Sequence, residues 1–466
     1  MPEESRADLL ARWGNEASNI QWERPWNTVF TGPGPRGQWF EGGTLNAAVS
    51  CLDRHLPERA DQVAIYWEGE PGDRRTIRYG ELHREVCAFA EGLRSLGVQP
   101  GDRVALYMGL LPEAVTVMLA CTRIGAVHAL ITAALPAEAV AERLDSLRPR
   151  VLVTQDGAWR HGKVLPVKAQ ADEAESACSG IDRTIVVRRT NRDIDWYEGD
   201  VWYEELLASA PSGGWEQPRA FPAEHPLLVV FVPDPGGRPR LIIHGTGGYL
   251  VYAETFQRRA LTVKPTDTVW AAVDFSWLAG PTHGVYGPLA CGGTTVLFEG
   301  MLDTPTPART WEIVNRYGVD AVGTTPSMAR RLRRWTMDGP STAGGDSVRL
   351  IVTAGEPIER EMQDWLQTKL GRGAAHVCDG WGQTELGGII TLSPWPQGSG
   401  SMPGPGFDVV DADGVTLPPG ELGELVLRNP WPGMFLGAEG EDDASDRYWS
   451  YPGAYATGDL ARLEPD

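Results

Sequence analysis

The chain has 466 residues, 42% of them hydrophobic, enough to form two or three packed domains or subdomains. Its 42 basic and 62 acidic residues give a net charge of -20, which argues against a nucleic-acid backbone or an anionic membrane as the main partner. Cys51, Cys87, Cys121, Cys178, Cys291 and Cys378 lie far apart with no CxxC pair, so neither a zinc site nor a disulfide framework is signalled.

Met1-Pro2-Glu3-Glu4 opens the chain without a basic region and apolar run, so no signal peptide is expected and a cytoplasmic location is. Strand-like runs then alternate with helical patterns: Val63–Trp67, Tyr79–Leu96, Arg103–Tyr107, Glu113–Ile124, Ala129–Thr132, Ala137–Leu147 and Val151–Thr154. The most apolar stretch, Ala114 to Ala141, is broken by Arg123, His128, Pro136 and Glu138 and reads as a buried helix and strand, not a membrane span. After a polar, Pro/Gly/Trp-rich passage around Ser209–Ala223 the alternation resumes with candidate strands Leu228–Val232, Leu241–Ile243, Thr268–Val273, Thr294–Phe298, Ala321–Thr324 and Arg349–Thr353. From about Gly406 short β runs are punctuated by Gly and Pro. The pattern predicts an α/β protein with parallel sheets: a first α/β lobe with an N-terminal extension (1–215), a second α/β lobe (216–405), each an αβα layering, and a small β-subdomain (406–466).

Several strings resemble the acetyl-CoA synthetase branch of the acyl-CoA synthetases, members of the adenylate-forming superfamily. They are Trp67-Glu68-Gly69-Glu70-Pro71-Gly72-Asp73, Leu96-Gly97-Val98 leading to Gly101-Asp102-Arg103-Val104-Ala105, Arg123-Ile124-Gly125-Ala126-Val127-His128 and Tyr286-Gly287-Pro288-Leu289-Ala290. The resemblance implies the family's large N-terminal domain and its chemistry, in which a carboxylate is joined to AMP and the acyl group is then passed to a thiol.

Residue by residue, it implies a nucleotide site. Asp379-Gly380-Trp381-Gly382-Gln383-Thr384-Glu385 is similar to the adenylate-binding segment, with Thr384 facing the phosphate. Glu385 stands where the family helps hold magnesium, a hard cation suited to carboxylate oxygen; no metal ligand set is assigned here, and magnesium use is left open. Thr457-Gly458-Asp459 resembles the motif whose aspartate accepts from both ribose hydroxyls, as an acceptor-only carboxylate can. Gly355-Glu356-Pro357 resembles the loop flanking adenine. Asp156-Gly157-Ala158-Trp159-Arg160-His161-Gly162-Lys163 resembles the segment used against the 3′-phosphate of CoA, with Arg160 and Lys163 as charge-assisted donors; the alternative is a solvated basic turn. Phe275, Trp277 and Ala354 are placed as acyl-pocket walls, and Gly382 stands where acetyl-CoA synthetases carry a tryptophan, which implies a larger acyl group.

Two departures shape the functional expectation. The family's Thr/Ser/Gly phosphate loop closing in Lys-Pro-Lys-Gly is replaced by Val232-Pro233-Asp234-Pro235-Gly236-Gly237-Arg238-Pro239-Arg240-Leu241, while its flanks survive as Glu224-His225-Pro226-Leu227 and His244-Gly245-Thr246-Gly247-Gly248. Prolines lack the N–H that cradles phosphate, and Asp234 about 4 Å from a phosphate oxygen would repel it by about 4 kcal/mol at an effective dielectric near 20. Arg238 and Arg240 would offset part of this. The family's mobile C-terminal lid would begin near Asp466, and none of its motifs occurs in the chain. The sequence therefore predicts a ligase that takes a preformed large acyl-AMP from a separate adenylating enzyme and transfers the acyl group to CoA without using ATP, as in the non-adenylating CoA ligases of diterpenoid antibiotic pathways. Its alternatives are an ordinary ATP-dependent acyl-CoA synthetase with an unusual loop, and an inactive protein that binds an acyl-adenylate or CoA.

Overall fold

Alternating strands and amphipathic helices build two eight-stranded sheets, as the periodicity predicts, but antiparallel edge strands make both mixed where parallel sheets are expected. A computed structural model describes residues 5–211, 213–233, 237–302, 304–306, 308–336, 345–396, 402–440 and 446–464. The helix Pro112–Ile124 shows how local chemistry fixes the elements. Proline occupies its first turn, where no intrahelical N–H bond is lost, and Gly125 ends it in the left-handed region at φ 79. A Cβ on Gly125 would lie 2.3 Å from the Phe221 ring, so close packing adds a second demand for glycine.

The first sheet runs in the order Asp200–Trp202, Arg183–Val187, Val151–Gln155, Arg103–Met108, Val127–Thr132, Pro226–Val232, Arg240–Gly245, Gly437–Glu439. It is parallel up to Pro226–Val232 and antiparallel beyond. The second runs Gly388–Ser393, His376–Gln383, Leu350–Ala354, Ala321–Thr324, Thr268–Ala271, Thr294–Phe298, Val63–Glu68, Arg74–Arg78, with antiparallel strands only at its two edges. Phe407–Val410, Gly423–Leu427 and Tyr455–Ala461 form a separate three-stranded antiparallel sheet.

The sheets do not follow the change of texture near residue 215. Val63–Glu68 belongs to the second sheet, pairing in parallel with Thr294–Phe298. Pro226–Val232 belongs to the first, pairing in parallel with Val127–Thr132. Parallel pairing is a long-range choice, so sequence neighbours need not be sheet neighbours.

The N-terminal extension is tied to the site by aromatic packing. On the helix Arg6–Ala17 the fully buried Trp13 meets Trp39 and Trp431 edge to face, with centroids 6.2 and 5.3 Å away. Among the described residues no helix is long and apolar enough to cross a membrane.

Candidate active site

The carboxyl ends of the second sheet's parallel strands open onto a crevice, the usual place for a ligand in such sheets. Its central feature is the short 3-10 turn Thr384–Leu386 that joins His376–Gln383 to Gly388–Ser393. The three carbonyls of this turn and that of the Gly387 that caps it are occupied. His244 Nε2 donates to Thr384 O at 2.8 Å, Phe435 N to Glu385 O at 2.7 Å, Trp431 Nε1 to Leu386 O at 2.9 Å, and Thr282 Oγ1 to Gly387 O at 2.9 Å. Burial holds the His244 imidazole down at about 4, so it stays neutral and can donate through one nitrogen.

The side chains of the same segment form a network. Glu385 Oε1 accepts from the Tyr448 hydroxyl at 2.6 Å, and Arg240 Nη1 donates to the Tyr448 oxygen at 3.1 Å. Burial, then the Glu385 charge, pushes the Tyr448 phenol up to about 12, which keeps it a donor. Tyr455 donates to Gln383 Oε1 at 2.9 Å. Gln383 Nε2 in turn donates to Thr457 O at 2.8 Å and to Asp459 Oδ2 at 3.1 Å, where Trp381 Nε1 also donates at 3.1 Å. The two motifs read from sequence, 379–385 and 457–459, are thus joined through Asp459.

Gln383, Thr384, Gly382, Ala354, Gly355 and Trp277 border one cavity of about 430 Å³, whose inner walls are apolar, among them Phe231, Leu261 and Val352. Phe275 is not among its lining residues: it is 5% exposed and its ring packs toward Gly280 and Gly284, while the neighbouring Ser276 faces the cavity. Glu356 lies outside the lining too. Ser327 and then Arg330, at 2.5 Å, hold its carboxyl below the usual range, and Pro357 is exposed. Asp379 is partly buried; desolvation raises its carboxyl, and its Oδ1 has no hydrogen-bond partner among the described residues. Gly380 is buried in the strand.

Gly382 borders the cavity, but it answers to a second constraint that sequence position does not reveal. The hairpin register slips between Trp381 and Gly382, and a Cβ there would stand 1.9 Å from Gly388 O. No larger residue fits unless the facing strand moves, so a tryptophan cannot simply be restored.

A second cavity of about 300 Å³ adjoins the first, with Ala271, Val273, Ser276, Trp277 and Thr325 bordering both. Arg160 is among its lining residues, and Lys163 is exposed opposite Arg160 in the two-stranded hairpin Ala158–Arg160 and Lys163–Leu165. The two cavities connect the Thr384 turn with the basic hairpin.

The rewritten loop is a hairpin connection, with Val232 paired to Arg240. Val232 and Pro233 border the larger cavity. Asp234, Pro235 and Gly236, on which the repulsion argument rests, lie outside the described residues. Arg238 is exposed 3.7 Å from Asp145, and Arg240 is buried in the Tyr448–Glu385 network.

The chemistry of these donors suits magnesium bound with a nucleotide. Glu385 Oε2 accepts no hydrogen bond from a described residue, and magnesium at phosphates typically takes one or two carboxylates and keeps its waters. No group of three or more metal-ligating side chains occurs among the described residues. Sequence reasoning missed Tyr448, for which no local signal exists, and the role of His244, which was visible only as part of a surviving flank.

The chain is similar to known proteins over its whole length. The family model of AMP-binding enzymes matches residues 52–437, and that of the acetyl-coenzyme A synthetase N-terminus matches residues 1–51. An acetyl-coenzyme A synthetase of Streptomyces avermitilis is 39% identical over 100% of this chain and 73% of its own. One from Mycobacterium tuberculosis is 40% identical over 99% of this chain and 74% of its own. The solved acetoacetyl-CoA synthetase from Streptomyces lividans superposes with a TM-score of 0.85 at 26% identity, covering 98% of this chain and 71% of that one. These likenesses overturn the expectation of a ligase that takes preformed acyl-AMP and dispenses with ATP. The relatives are named acetyl-coenzyme A synthetases, and the family match at residues 52–437 spans the altered loop.

Two outcomes follow from the geometry. The folded His244 imidazole titrates near 4 against about 6.5 when unfolded, so between these values the unfolded chain binds more protons. Stability from this group is present above about 6.5 and falls on acidification, by about 1.4 kcal/mol per pH unit. His244→Gln keeps an N–H for Thr384 but does not titrate, so the stability gap between wild type and variant in urea should shrink from pH 7 to pH 5; a constant gap would contradict the assignment. Gly323 borders the larger cavity, and a Cβ there meets only Ala271 Cα, at 3.8 Å. Gly323→Val should weaken the longest acyl-sulfamoyl adenosine that the wild type binds about tenfold or more, while sparing the acetyl analogue. Equal losses, read by calorimetry, would place the acyl chain elsewhere.

Proposed function

Because this chain belongs to the family of AMP-binding enzymes, we propose that it is an ATP-dependent acyl-CoA synthetase that makes and consumes an acyl-adenylate in the larger cavity. The observation that carries the reading is that Gln383 and Thr384 border a largely apolar cavity, with Gln383 bonded to Asp459 and with Glu385, next to Thr384 in the chain, bonded to Tyr448.

In the first step a carboxylate oxygen attacks the α-phosphorus of ATP and the bond to pyrophosphate breaks. In the second the CoA thiolate attacks the acyl carbon and AMP leaves with the former carboxylate oxygen. Thr384 presents its hydroxyl to the α-phosphate. Asp459, oriented by Trp381 and Gln383, accepts from the ribose hydroxyls. Glu385, oriented by Tyr448, would hold magnesium, which supplies neutralisation of phosphate charge. The apolar walls receive the acyl group and keep water from the mixed anhydride. Arg160 at the second cavity and its cross-strand partner Lys163 take phosphate, so that CoA reaches the adenylate past Trp277.

The test is incubation with ATP, magnesium, CoA and a panel of carboxylates. AMP, pyrophosphate and acyl-CoA should appear in equal amounts with at least one acid. A protein that binds an acyl-sulfamoyl adenosine yet leaves ATP intact with every acid would reject the reading.

A further inference from the structure

We infer that Glu70 is a positioning residue for the CoA phosphate site: it grips the turn between Arg160 and Lys163 and so sets how the two cations face their phosphate. The inference rests on the reading that these residues take CoA phosphate. The hairpin is small. Its strands have three residues each and join neither main sheet, and a ladder of that length is marginal by itself. Its turn residues both have positive φ, +50 at His161 and +71 at Gly162, so two successive N–H groups need partners outside the turn.

One carboxylate supplies both. Glu70 is 2% exposed, its Oε2 accepts from His161 N at 3.0 Å, and its Oε1 accepts from Gly162 N at 2.5 Å. Glu70 is itself fixed from the other sheet. It follows the strand Val63–Glu68 in a turn closed by Gly69 N to Asp73 O at 2.8 Å, and Arg309, which pairs with the buried Glu68, also donates to Glu70 O at 3.4 Å. His161 Nδ1 lies 3.1 Å from Thr304 Oγ1 as a further tie. Arg160 and Lys163 are cross-strand partners immediately flanking this turn. Their separation and direction therefore follow from where Glu70 holds it. Glutamine keeps the size of glutamate but offers one acceptor and turns an NH₂ toward an N–H, so one of the two bonds is lost.

The experiment is calorimetry of CoA and of 3′-dephospho-CoA on wild type, Arg160→Ala, Glu70→Gln and Gly162→Ala, with an acyl-sulfamoyl adenosine as control ligand. Gly162→Ala strains the same turn at an exposed position where an added Cβ meets nothing within 4 Å. Arg160→Ala should weaken CoA about tenfold with little effect on dephospho-CoA. Glu70→Gln and Gly162→Ala should reproduce that selective loss at about three- to tenfold, leaving the adenosine analogue within about twofold. Selective loss with Arg160→Ala alone overturns the role of Glu70 and leaves the CoA reading intact. No selective loss with Arg160→Ala overturns the CoA reading and the inference with it. Uniform weakening of all three ligands by Glu70→Gln, with Gly162→Ala unaffected, shows a general structural residue and also overturns the inference.

Discussion

The carbonyls of Thr384, Glu385, Leu386 and Gly387 each accept a hydrogen bond from a different residue: His244 on the first sheet, Phe435 and Trp431 on the segment before its last strand, and Thr282 on the helical segment Thr282–Tyr286. A buried carbonyl left without a partner costs about 1–3 kcal/mol, so each of these elements must be in place for the turn to keep its shape. The side chains that meet phosphate and magnesium in the proposed reaction project from this turn, and their backbone is set before any ligand arrives. Such preorganisation is what a site needs to stabilise developing charge without first rearranging.

The same constraint explains why the two sheets exchange strands across the chain. His244 reaches Thr384 only because Arg240–Gly245 folds back as an antiparallel neighbour of Pro226–Val232 at the edge of the first sheet. Gly437–Glu439 then closes that edge, which carries Phe435 and Trp431 to the turn. Trp13 packs on Trp431, so the N-terminal extension buttresses the site from behind. Glu70 shows the reverse traffic, from the second sheet to a hairpin after the first sheet's Val151–Gln155.

Elements with strong local periodicity, such as Ala137–Leu147 and Thr294–Phe298, were legible in sequence, as were the segments Asp379–Glu385 and Thr457–Asp459. What sequence could not convey is long-range. Tyr448 is 63 residues from Glu385 and His244 is 140 from Thr384, with no pattern linking either pair. Gly382 read as an absent side chain, whereas backbone approach from Gly388 demands it. The expectation of an ATP-free ligase, drawn from the loop, failed for a related reason. Proline and aspartate report lost donors and added charge, but not where the chain directs what remains, and Arg240, expected to offset part of the repulsion, donates to Tyr448.

In the proposed reaction one cavity holds an acyl-adenylate with its phosphate at the Thr384 turn. A crystal structure with a non-hydrolysable acyl-sulfamoyl adenosine tests it most directly. Ribose hydroxyls should lie on Asp459, the sulfamate within hydrogen-bond reach of Thr384, and the acyl chain between Gly323 and Ala354 with the four carbonyl bonds unchanged. An acyl chain lodged beside Arg160, or adenosine bound away from Asp459, would contradict it.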